Sequence, residues 1–418
     1  MTAHWWGAPP ASSSCDHQVL LGLDWDRPLD DWSLDDFPDP GGMHRHVVRY
    51  FEHGPVTYVL KELPTVLAQR EYRLLRALAD LSVPTATAIG VITERGPKAS
   101  EGVLVTRHID FSIPYRVLLA GRGLQIPYLG ERMLDALVSL LVRLHLNGFF
   151  WGDCSLNNTL FRRDAGALTA FVIDLETGEL HHTLTDGQRE LDLTIAVENV
   201  AGGLFDLQAM GRLADGIDPL ETALAVEQRY EALWAEITDE EYFRHDEMFR
   251  VEHRVRRLAE LGFDLGELDV EAHEDVDRIR IIPRVVEYGF HAPRLMHLTG
   301  LTTGENQARR LLSDISQYKV QLELQRGRRM SESLAAARWL DEIYSPTIDA
   351  VPAPMAAKLE PAELFHQILE HRWFLSEQAN EDVGMEAAVA SYVDTVLPSA
   401  PDEQRLIDPP TMELPIIR

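Results

Sequence analysis

The sequence predicts an α+β domain followed by an α-helical C-terminal domain. Three observations carry this expectation. Residues 46–106 alternate strand-type and helix-type periods in the order ββαββ, and a strongly apolar helix over 129–146 leads through a loop into another strand. Beyond residue 282 helix signals recur. With 418 residues, 45% hydrophobic and 25% charged, the chain can fill two or three domains of about 100–200 residues each.

Residues 1 to about 40 are rich in Pro, Ser and Asp, and Pro28, Pro38 and Pro40 break any long element, so 1–36 reads as an N-terminal extension with at most one short helix. The runs Val47–Phe51 and Val56–Lys61 flank a turn at Glu52–Pro55 and make a β-hairpin. Leu67, Leu74, Leu75, Leu78 and Leu81 recur at helical spacing until Ser82-Val83-Pro84 stops the helix. Strands over Thr87–Thr93 and Gly102–Thr106 follow, closing a segment placed at 37–110. Leu134, Leu137, Leu141 and Leu144 line the long helix, after which come a loop (Asn147–Asn158) and a strand (Ala170–Ile173). The acidic run Glu236–Asp277 reads as a solvated helical face at the end of a segment placed at 111–282. In the helical segment 283–397, Thr302 and Glu305 have capping-box spacing and Pro361 suits a first turn. Leu364, Phe365, Ile368, Leu369 and Trp373 form one apolar stripe there, and 398–418 is a Pro-rich tail.

Composition also excludes classes of function. With 39 Lys and Arg against 67 Asp and Glu, the formal charge is −28, and no basic tail stands out, so nucleic acid is not an expected partner. Cys15 and Cys154 are far apart and form neither a disulfide framework nor a cysteine zinc site, which suits a reducing cytoplasm. No basic stretch precedes an apolar one at the N-terminus, and Arg143 interrupts the most apolar helix, so neither secretion nor a membrane span is expected.

Two charges stand where apolar residues belong. By the period of two, Lys61 shares a strand face with Val59 and Leu63; by the helical period, Glu71 shares a stripe with Leu67, Leu75 and Leu78. Each is tolerable if it faces the other, the alternative being two snorkelling surface side chains. Further on, Asp153, then Asn158 five residues later, then Asp174 after a strand complete an ordered polar set. Phosphoryl transfer needs hard oxygen ligands for a metal, a base and a cation converging at one cleft.

That order, Lys61, Glu71, Asp153, Asn158, Asp174, resembles the catalytic core of the protein-kinase-like fold. In particular it resembles the bacterial lipopolysaccharide-kinase-like group over roughly residues 40–200. The chain as a whole also resembles an uncharacterised bacterial family that joins such a core to a helical C-terminal region. The resemblance implies a two-lobed domain, with lobes at 37–110 and 111–282, that transfers phosphate from ATP with Mg²⁺. Asp153 would orient the acceptor hydroxyl, Asn158 and Asp174 would bind metal, Lys61 would hold the α- and β-phosphates and Glu71 would position it. Thr106, Arg107 and His108 would lie at the hinge near the adenine.

The sequence departs from the family pattern in places. No Gly-rich loop of full length precedes Lys61; Gly41 and Gly42 are the nearest residues whose amides could cover phosphates. Ser155 stands where many relatives place a Lys or His that steadies the transferring group. Glu176 reads equally as an added metal ligand or a salt-bridged loop acid. Asp192 reads as an anchor for the catalytic loop or a surface acid, His145 as a structural histidine bonding the loop backbone, and Cys154 as a buried small residue. His44, His46, His181 and His182 lack a third ligand at metal-binding spacing.

The expected function is thus an ATP- and Mg²⁺-dependent phosphotransferase in the cytoplasm. Its acceptor is a sugar, glycoconjugate, other small molecule or protein, and the C-terminal helices are a possible protein-binding region. The alternative is a pseudokinase that binds nucleotide as a regulator. A nucleotidylyl-transferring relative is a third class, separable by release of pyrophosphate in place of ADP.

Overall fold

A computed structural model describes residues 4–6, 18–35, 45–95, 100–119, 129–238, 241–244, 249–250, 253, 258, 264–265, 269–272, 278–282, 285–286 and 289–405. The first lobe is a five-stranded antiparallel sheet with order β1-β4-β5-β3-β2. Its strands are β1 (His4–Trp6), β2 (Val47–His53), β3 (Val56–Pro64), β4 (Thr87–Arg95) and β5 (Glu101–Arg107). Helix α2 (Thr65–Asp80) starts at the residue after β3, as the ten-residue separation of Lys61 and Glu71 requires.

Both faces of this sheet are buried. Leu63, Val91 and Leu104 pack with Leu75 and Leu78 of α2 on one face. Tyr58, Leu60 and Val105 pack on the other with Leu20, Trp25, Leu29 and Trp32. The N-terminal extension is therefore part of the lobe. It carries α1 (Gln18–Leu21), its β1 pairs with β4, and Trp25 donates its indole N–H to Leu20 O at 2.6 Å. Pro and Asp content concealed it, because the four large apolar anchors are spread over two short helical turns and the bends between them and not over one long element.

The second lobe begins with β6 (Ile113–Pro114) and α3 (Tyr115–Leu119), then the long helix α4 (Leu129–Leu146) and β7 (Phe149–Phe150). Strands β8 (Thr159–Asp164) and β9 (Ala167–Val172) form a hairpin, with β6 on the outer side of β8. After β10 (Glu179–Leu180) come helices α5 (Asp186–Ala209) and α6 (Pro219–Thr238), which pack with α4. Thr185 caps α5 in a capping box with Gln188. β8 escaped the sequence reading because Arg162, Arg163 and Asp164 break its apolar character, and the period of two holds only through Thr159 and Phe161 before the buried Asp164 falls out of phase.

The acidic run is only partly helical among the described residues: 236–238 close α6 and 249, 250, 253 and 258 are helical, but strands lie between and after them. β11 (Glu241–Arg244), β13 (Asp269–Ala272) and β14 (Arg278–Ile282) form a three-stranded antiparallel sheet, and β12 (Asp264–Leu265) pairs with β15 (Val285–Val286). The alternation Arg278-Ile279-Arg280-Ile281 was the available signal for strand, outweighed by the charge density around it.

The C-terminal region is helical: α7 (His291–Thr299), α8 (Glu305–Arg326), α9 (Glu332–Trp339), α10 (Ser345–Asp349), α11 (Ala353–Ala356), α12 (Pro361–Ala379) and α13 (Gly384–Thr395). The expected capping box at Thr302 is displaced by two residues, since α8 begins at Glu305 with Gly304 as its N-cap. Leu364, Phe365 and Ile368 are buried as the stripe predicts, but Trp373 is 65% exposed.

This region docks on the turn of the β8–β9 hairpin. Asp164 accepts the N–H groups of Asn306 at 3.1 Å and Gln307 at 2.7 Å, so an acid from the second lobe caps α8. Ala165 N–H donates to Glu363 of α12 at 3.0 Å, and Arg163 pairs with Glu403 at 2.6 Å. Residues 398–405 are thus held in place, while 406–418 of the expected tail lie outside the described residues. Among the described residues no helix is long and apolar enough to cross a membrane.

Candidate active site

The face of β3 that packs on α2 presents Lys61 to Glu71. Lys61 Nζ donates to Glu71 Oε2 at 3.1 Å and Oε1 at 3.3 Å, and to Asp174 Oδ2 at 2.8 Å. Glu71 is fully buried, and its Oε1 also accepts the Leu175 N–H at 3.3 Å, which ties α2 to the loop after β9. One cation therefore serves two carboxylates. Burial pushes Glu71 up to about 7 against the pull of Lys61. Burial acts downward on Lys61, but Glu71 and Asp174 outweigh it and hold the amine above its ordinary value.

Asp153 sits in the loop between β7 and β8. Asn158 Nδ2 donates to Asp153 Oδ2 and to its backbone O, both at 3.0 Å, and Asn199 Nδ2 of α5 donates to Asp153 Oδ1 at 3.1 Å. Burial raises the Asp153 carboxyl, with the Asn158 bond opposing. Asp192, also on α5, accepts the N–H groups of Trp151 at 2.7 Å and Gly152 at 2.8 Å. Of its two readings, the loop anchor is the one seen. Asn199 was missed by sequence reasoning, yet it lies seven residues after Asp192, two helical turns along the same face of α5.

His145 bonds Asp192 Oδ2 at 3.1 Å and the Tyr230 hydroxyl at 2.6 Å, so it acts on the anchor and not on the loop backbone. Ser155 is buried and its Oγ accepts the Asn158 N–H at 3.2 Å; it supplies no cation beside Asp153. Cys154 is buried, and burial raises its thiol well above the ordinary value, so little thiolate forms. Glu176 pairs with His46 at 2.9 Å and Arg45 at 3.8 Å, linking the start of β2 to the loop after β9.

At the hinge, Thr106 pairs in register with Val59, and Arg107 donates to Asp110 Oδ2 at 2.8 Å. His108 gives its backbone N–H to Thr57 O at 2.8 Å and packs its ring edge-on to Tyr50. Burial lowers the His108 imidazole. Gly41 and Gly42, named above for phosphate, lie outside the described residues, as does His44.

The structure thus brings Lys61, Glu71 and Asp174 into one cluster and Asp153 and Asn158 into direct contact. As a donor set, Asn158 and Asp174 fit Mg²⁺. The Asn158 amide nitrogen is committed to Asp153, which leaves its carbonyl oxygen for a metal, and Asp174 adds a carboxylate; both are hard oxygen donors. Among the described residues no group of three His, Cys, Asp or Glu side chains is placed to hold a metal alone. A metal shared with a nucleotide needs only one or two carboxylates from protein.

Two lobes with this ordered polar set define a kinase-like phosphotransferase domain. Residues 41–195 match the lipopolysaccharide kinase (Kdo/WaaP) family, so the likeness to that group holds for this segment. Residues 232–397 match a domain of unknown function (DUF4032). No curated protein matches the chain. Among solved structures, one titled "WaaP in complex with acyl carrier protein" is 19% identical over 53% of this chain and 88% of its own. Its TM-score is 0.34, a likeness too distant to carry an assignment.

Proposed function

We propose that this chain transfers the γ-phosphoryl group of ATP, with Mg²⁺, to a hydroxyl of a sugar, glycoconjugate or other small molecule. The observation that carries the reading is the Lys61 amine joined to both Glu71 and Asp174, with the Asp153 and Asn158 pair in the adjoining loop. Lys61 neutralises the α- and β-phosphates while Glu71 fixes its position. Asp153 orients the acceptor hydroxyl and takes its proton as the acceptor oxygen bonds to phosphorus and ADP departs. Asn158 and Asp174 hold Mg²⁺, which neutralises phosphate charge when bound. Backbone groups over Thr106–His108 meet the adenine; the His108 N–H is already committed to Thr57. Lobes at 37–110 and 111–282 contain the site, and the segment 283–397 is open to a protein partner.

The acidic chain suits a soluble acceptor in the cytoplasm better than an anionic lipid surface. ADP release in the presence of cell-extract acceptors tests the reading. Asp153→Asn should lower it at least ~100-fold, in the range of a lost general base, with Mg-ATP binding retained; unchanged release refutes the assignment. Ser155, whose hydroxyl is turned to the Asn158 N–H and itself supplies no cation, favours the second reading, a nucleotide-binding regulator. Mg-ATP binding with neither ADP nor pyrophosphate formed would establish that second reading instead.

A further inference from the structure

A cleft of about 760 Å³ lies between α4, α6, the β8–β9 hairpin and the start of α8. None of Lys61, Glu71, Asp153, Asn158 or Asp174 lines it. Five guanidinium groups do: Arg132 and Arg143 of α4, Arg229 of α6, and Arg309 and Arg310 of α8. Against them stand two acids, Asp135 and Asp164. Asp135 is paired with Arg229, and Asp164 is turned to the N–H groups of α8. Arg310 contacts His366 at 3.1 Å and Glu370 at 3.6 Å. Arg132 and Arg309 enter no close ion pair among the described residues, although Glu370 lies within electrostatic reach of Arg132; Arg309 makes a long bond to Asn306 Oδ1 at 3.4 Å. In a chain of net charge −28 this lining reverses the local sign.

A second observation points to a ligand. Ser139 lines the same cleft, is only 4% exposed, and its Oγ has no hydrogen-bond partner. Buried hydroxyls are rarely left so, because desolvation without a partner is costly.

We propose that this cleft binds a small, multiply phosphorylated anion. Guanidinium forks match phosphate oxygens in bidentate pairs, and the Ser139 hydroxyl supplies a further donor. Charges fixed on three separate helices surround a volume and not a line, which suits more than one phosphate on a compact carrier. The size lies within the roughly 300–1,000 Å³ of small-molecule sites. Its walls come from both the second lobe and the C-terminal region. The hairpin forming one wall starts one residue after Asn158 and ends two before Asp174, so a ligand at its turn would abut an element whose other end adjoins both.

The test is calorimetric titration of the full chain with pyrophosphate in EDTA, which removes metal-dependent nucleotide-site binding. Wild type and Lys61→Met should bind one equivalent with equal affinity. Arg132→Gln/Arg309→Gln should bind at least tenfold more weakly, with its melting temperature showing it folded. Ser139→Ala, a smaller change, should bind severalfold more weakly and decides the matter if the double variant does not fold. No binding by wild type, unchanged affinity in the variants, or loss of binding in Lys61→Met overturns the proposal. Parallel titrations with a sugar bisphosphate and with ADP identify the carrier as whichever binds more tightly than pyrophosphate.

Discussion

Replacing Asp192 with alanine removes the acceptor for three groups at once: Trp151 N–H at 2.7 Å, Gly152 N–H at 2.8 Å and His145 Nε2 at 3.1 Å. Asp192, Trp151 and His145 are buried, whereas Gly152 is half-buried and can turn to water. A buried donor left without an acceptor costs about 1–3 kcal/mol. Counting two such groups in full and Gly152 at the low end gives roughly 3–7 kcal/mol, a large share of the ~5–15 kcal/mol that holds a typical domain. Asp192→Asn keeps one acceptor oxygen and should lose roughly 1–2 kcal/mol by the same reckoning. Urea unfolding followed by tryptophan fluorescence measures both. Because Gly152 immediately precedes Asp153, turnover should fall in both variants, and further in alanine. A loss below about 1 kcal/mol for Asp192→Ala would refute the anchoring argument, since even one orphaned buried donor exceeds it.

Two further outcomes follow from the C-terminal junction. At Gly304 an added Cβ would stand 2.5 Å from Asp164 Oδ1. Gly304→Ala should therefore displace the cap of α8 and lower stability by about 1–2 kcal/mol, the usual range for a lost cap; an unchanged urea midpoint would contradict this. Burial pushes Glu403 up to about 8 from an ordinary 4.5, with Arg163 opposing and Glu363 and Glu360 adding to the rise. The folded state thus holds this proton more tightly than the unfolded chain. Its contribution is complete below pH 4.5 and is lost as pH rises through 8, with a slope of at most ~1.4 kcal/mol per pH unit. Melting temperatures between pH 5 and 9 should fall less steeply in Glu403→Gln than in wild type, and identical slopes would exclude the effect.

Much of the site was legible because its chemistry conflicts with local periodicity. Lys61 and Glu71 each broke an apolar pattern, and only their mutual contact removes the cost of burying them. Asp153, Asn158 and Asp174 were legible through order along the chain. What stayed hidden depends on contacts that no local pattern records. Trp25 and Trp32 cover a sheet face from an irregular segment, and Asp164 caps a helix whose first residue is 141 positions away. The strands within 241–286 were hidden by composition, since acidic and basic residues at alternate positions look like a solvated helix when charge is read before period.

The central claim is that Asp174 binds the metal that joins ATP to this cleft, and its most direct measurement is the affinity of the full chain for ATP with and without Mg²⁺. Wild type should bind ATP at least tenfold more tightly when Mg²⁺ is present, and Asp174→Ala should show no such gain. Equal enhancement by Mg²⁺ in the two proteins would contradict the account.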